Sequence, residues 1–77
     1  MPHELLSRIT LDPLVNHGKP SIRGKRYPVQ AMLEYLAGGD RIEDLLAVFP
    51  DLEREDLLAC LAYAARMVEV KNSLMAA

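Results

Sequence analysis

Five cations, Arg8, Lys19, Arg23, Lys25 and Arg26, stand in the first thirty residues against only Glu4 and Asp12, a balance of 5 − 2 = +3. Residues 31–77 reverse it, with four Lys/Arg against nine Asp/Glu (4 − 9 = −5), which gives the net charge of −2. Basic side chains on a glycine-punctuated loop suit phosphate contacts, each adding salt-dependent and sequence-independent affinity. They equally suit an acidic protein surface, or solvated pairing with the chain's own acidic helices. Two faces of opposite sign on so small a chain point to a binding module.

Catalytic chemistry has weaker support. His3 lies at the start of the sequence and His17 in a turn, and neither belongs to an evident catalytic pairing. Cys60 falls on the apolar side of a helical pattern, where a buried, inert thiol is the expected state. Glu43-Asp44 and Glu53, Glu55 and Asp56 sit at helix starts and are explained by capping. No spacing fits a zinc site, a phosphate loop or a catalytic triad, so neither enzyme activity nor a cofactor is expected.

Seventy-seven residues make a single domain, and such a chain buries only roughly 60–65% of its unfolded surface. Yet 51% of it is hydrophobic. That surplus predicts burial against another chain, as a homodimer, against a bound partner, or both. No apolar run is long enough to span a membrane. Met1-Pro2-His3-Glu4 does not resemble a signal peptide, and one cysteine cannot form an internal disulfide. A cytoplasmic protein is the simplest expectation.

The cations are positioned by residues 1–27, read as a strand and hairpin segment. Leu5 and Leu6 can begin a helical turn, Ile9 to Leu11 a short strand ending at Asp12-Pro13, and Asn16-His17-Gly18 a turn. Gly24-Lys25, between Ile22-Arg23 and Arg26-Tyr27, suits a type II′ hairpin. Residues 28–70 carry three helical stripes. Pro28 fits the first helical position, with Val29, Met32, Leu33 and Leu36 following at helical spacing and Gly38-Gly39 closing the helix. Asp40 is the expected N-cap of the second helix, with Glu43 completing a capping box before Ile42, Leu45, Leu46 and Phe49. The third begins near Glu53, with Leu57, Leu61, Ala64 and Val68 as a seam widened by Leu58, Cys60, Ala65 and Met67. The stripes predict helices of about 10, 8 and 17 residues. The fold class is therefore mainly α: a three-helix, helix-turn-helix bundle with short N-terminal strands. The third helix's apolar face is mostly core. Its surplus makes Leu57, Leu61, Met67, Val70 and Leu74 candidates for a partner or dimer interface. Residues 71–77 read as a weakly ordered tail that folds on a partner, or as a frayed helix end.

Several of these residues together carry a resemblance. Ile9-Thr10 with Asp12-Pro13 is followed by Gly18-Lys19-Pro20, Ile22-Arg23-Gly24, Arg26 and Pro28-Val29. Pro50-Asp51-Leu52, Asp56 and Ala62-Tyr63-Ala64 come later. This pattern, over about residues 7–70, resembles the family known as domain of unknown function 433. The resemblance implies a homeodomain-like fold with short N-terminal strands, Gly18, Pro20, Ile22, Gly24, Pro28 and Val29 being its motif positions. It also implies the antitoxin of a type II toxin–antitoxin pair, with a PIN-like ribonuclease toxin as partner and autorepression through operator DNA. Tyr27 replaces a more usual small aliphatic, and Glu53 a frequent threonine cap. Glu53-Arg54-Glu55-Asp56 sets a charge of −2 where a recognition helix would meet phosphates, so the basic segment is expected to make most DNA contacts. Arg23, Lys25 or Arg26 could alternatively plug an acidic toxin site. The competing reading is a dimeric protein-interaction module, an adaptor with no nucleic-acid role.

Overall fold

The computed structural model describes the backbone of residues 3–76 and the side chains of residues 4–70. The chain runs α1 (His3–Leu6), β1 (Ile9–Thr10), a 3-10 turn (Asn16–Gly18), β2 (Ser21–Ile22), α2 (Val29–Ala37), α3 (Ile42–Val48) and α4 (Arg54–Ala76). The fold is mainly helical, with the two short strands pairing antiparallel within the chain, Ile9 opposite Ile22 and Thr10 opposite Ser21. α4 is the central element, packing against α1, β1, α2 and α3.

Helical spacing explains the core. Val29 and Met32 of α2, Leu45 of α3, and Leu57 and Cys60 of α4 are buried together with Ile22 and Leu52. Leu33, Leu36, Ile42, Leu46 and Phe49 pack around them, half-buried. The edge of Tyr27 meets the Phe49 ring, their centroids 5.4 Å apart. Leu57 is thus fully buried in the core, which corrects its assignment to a partner interface.

Three helix starts and turns differ from the sequence expectation. Pro28 is the N-cap of α2, not its first helical residue, because its backbone is extended (φ −67°, ψ 138°). Its carbonyl still accepts from Met32 N at 3.3 Å. Asp40 closes α2 instead of opening α3: after Gly39 turns left-handed (φ 106°), the Asp40 N–H donates to Tyr35 O at 3.1 Å. This ending is of the Schellman type. Arg41 becomes the N-cap of α3, its N–H donating to the Asp44 carboxylate at 2.8 Å, one residue later than expected.

The hairpin turn also shifts. Lys25 N–H donates to Ile22 O at 2.8 Å, so the central residues are Arg23 and Gly24, both left-handed (φ 47° and 68°). Two consecutive positive φ values define a type I′ turn rather than the expected type II′. Asn16 and Gly18 are left-handed (φ 51° and 80°), as their tolerance of positive φ suggests, and His17 between them is left-handed as well (φ 57°).

Candidate functional site

The hairpin turn is not held by its own strands alone. Arg23 N–H donates to Arg8 O at 2.7 Å, and Gly24 N–H donates to Thr10 Oγ1 at 2.9 Å. The decisive contact is farther along the chain. Asp56, fully buried in the first turn of α4, accepts from Arg23 Nε at 2.9 Å and Nη2 at 2.7 Å, and from Arg8 Nη1 at 3.0 Å. It also accepts from the backbone N–H of Glu53 at 2.8 Å, so the same carboxylate caps the helix. Arg8 further pairs with Glu53 at 2.7 Å. Arg23 also donates to Asp51 O at 3.1 Å, and Tyr27 Oη to the Asp51 carboxylate at 2.8 Å.

Burial by itself pushes the Asp56 carboxyl upward. The hydrogen bonds from Arg23, from Glu53 N–H and from Arg8 outweigh it, and the group lies below the ordinary carboxylate range. The arginine side chains, 28% and 34% exposed, are correspondingly held charged by these carboxylates. Arg8 and Arg23 therefore point inward to a structural acid. Lys19, Lys25 and Arg26 make no ion pair among the described residues, and Lys19 and Arg26 are exposed. The basic segment thus divides into an inward pair and an outward set.

The motif residues serve the same framework. Pro20 O accepts from Val29 N–H at 3.0 Å, tying the segment before β2 to the start of α2. Ile22 and Val29 are core, and Gly18 and Gly24 take left-handed backbone.

A second feature adjoins the motif residues Lys19, Pro20 and Pro28. Lys19 and Pro28, Leu33 of α2, and Tyr63, Met67 and Val68 of α4 line a largely apolar groove of about 510 Å³. Met67 and Val68 are 39% and 58% exposed. Leu61 and Val70 are also exposed on the same helix, whereas the side chain of Leu74 and those of the rest of the tail lie outside the described residues. Helical backbone continues through the expected tail to Ala76. Among the described residues, no helix is long and apolar enough to cross a membrane.

The four helices, the paired strands and the motif glycines and prolines together define a small helical module with a fixed hairpin. Residues 9–64 match the family model described as protein of unknown function DUF433, and the chain belongs to that family. It is similar to a DUF433 member protein from Anabaena variabilis ATCC 29413, known from a crystal structure, at 30% sequence identity and a TM-score of 0.74. That likeness covers 100% of this chain and 87% of the other. No curated protein sequence matches the chain.

Proposed function

We propose that this chain is the antitoxin of a type II toxin–antitoxin pair, a non-enzymatic cytoplasmic protein that neutralises a PIN-like ribonuclease by docking on it. The observation that supports this most is the distribution of surface along α4. Glu53 precedes it, its first turn carries Glu55 and buried Asp56, and residues 57, 59, 60 and 62 are buried. Such a helix start is poorly suited to enter a DNA groove. Farther along, the helix instead exposes Leu61 and then Met67, Val68 and Val70. Clustered exposed apolar side chains of this kind suit a protein partner.

The test is co-expression with a PIN-like reading frame adjacent to this one. The expected result is restored growth and co-purification of the two proteins. Undiminished toxicity with both proteins folded and abundant refutes the proposal.

Operator binding is the secondary part of this reading, and its contacts fall to Lys19, Lys25 and Arg26. A homodimer would present two such sets. Lys25→Ala with Arg26→Ala should weaken an operator shift and flatten its salt dependence; unchanged affinity removes the DNA role. A second reading, an adaptor without nucleic-acid function, draws support from the commitment of Arg8 and Arg23 to Asp56. That contact withdraws two of the five cations from phosphate.

A further inference from the structure

We propose that the groove between α2 and the distal half of α4 receives an amphipathic helix with an acidic end from a partner protein. On the antitoxin reading, from which the partner's identity follows, that protein is the ribonuclease. Three observations select this occupant.

The first is backbone chemistry. Two of the groove's residues, Pro20 and Pro28, have no N–H to offer, and their carbonyls already accept from Val29 at 3.0 Å and Met32 at 3.3 Å. An extended segment needs edge donors and acceptors to pair with, whereas a helix satisfies its own backbone. The second is the wall itself. Tyr63, Met67 and Val68 lie within two turns of α4 opposite Leu33, which suits aliphatic anchors at helical spacing.

The third is charge. Lys19 is exposed at the groove and makes no ion pair, and no carboxylate lines the groove among the described residues. A carboxylate on the occupant completes the site by electrostatic complementarity. A second copy joined groove to groove across a two-fold axis sets the same patch against itself, and so adds a second Lys19 and no groove carboxylate among the described residues.

The experiment uses the purified full chain and two labelled synthetic helices of about fifteen residues. Both carry leucine at i, i+4 and i+7; one ends in glutamate and the other in lysine. Fluorescence anisotropy should show the acidic helix binding about fivefold tighter, the effect of one partly exposed ion pair. Lys19→Glu should reverse the preference. Val68→Asp alters an exposed side chain outside the core and should weaken both helices at least tenfold, the order expected for a charge set into an apolar contact.

Equal affinities, or an indifferent Val68→Asp, overturn the proposal. So does sedimentation showing a wild-type dimer that Val68→Asp converts to monomer, because a second copy then fills the groove. If Val68→Asp neutralises the ribonuclease as well as wild type does, the groove assignment falls and the antitoxin reading stands. If no ribonuclease is neutralised while both peptide preferences hold, the antitoxin reading falls and the groove keeps its helical, acidic ligand.

Discussion

Replacing Asp56 with asparagine should destabilise the chain more than any surface charge change. The side chain is wholly buried and accepts four hydrogen bonds, three of them from guanidinium groups. Asparagine keeps the shape but removes the charge and turns an acceptor into a donor facing an arginine. Removing one partner of a buried ion pair costs about 3–5 kcal/mol. The arginines retain 28% and 34% exposure and can rehydrate, so the lower end applies, about 3 kcal/mol. A 77-residue domain has about 4–11 kcal/mol in total. The loss is therefore a large fraction, equivalent to a fall in Tm of about 12–24 °C. Urea unfolding followed by circular dichroism measures it, with m unchanged and the midpoint lowered. An Asp56→Asn unfolding free energy within about 1 kcal/mol of wild type refutes the reasoning. Acid gives an independent check. Asp56 is depressed below the usual carboxylate range in the folded chain. Its stabilisation is therefore complete above about pH 4 and drains as pH falls through the lower folded value. Wild type should lose stability over that acid window, and Asp56→Asn should lose visibly less.

Gly24→Ala should cost about 1 kcal/mol, because φ there is +68° and no atom lies within 4 Å of the new Cβ. Gly38→Ala, at ordinary φ −78°, should lie well below that on the same urea curve. Cys60 is fully buried, and burial pushes its thiol up to about 12. Thiol reagents at neutral pH should leave it unmodified until denaturant unfolds the chain; rapid labelling of the native protein contradicts this.

The helices were legible because Val29, Met32, Leu33 and Leu36, and then Ile42, Leu45, Leu46 and Phe49, recur at helical spacing, and both stripes face the packed core. The caps were less so: one residue separates Asp40 from Arg41, and only the closing geometry of α2 decides which opens α3. The turn at Arg23-Gly24 was hidden for a different reason. An arginine in left-handed backbone goes against local preference, and distant contacts hold it there. Asp56 was the largest omission. Within Glu53-Arg54-Glu55-Asp56 it reads as another exposed charge, yet it shares a helical face with Cys60 and Tyr63, and a lone acid in such a stripe signals a buried partner. Which cations answer it, 33 and 48 positions away, is fixed only by the fold. Met67 and Val70 are exposed as the apolar surplus suggested, but of the seam read as mostly core only Leu57 is fully covered while Leu61 and Val68 are exposed, since composition counts apolar residues without saying which are covered.

The three-residue meeting of Arg8, Arg23 and Asp56 also constrains how sequences of this shape can diverge. Losing the acid strands two cations, and losing either cation leaves the acid under-compensated, so single-step replacements pass through weakened intermediates. Tolerated change at these positions should come in concert, as coupled exchanges; freely interchangeable residues there would be incompatible with the contact.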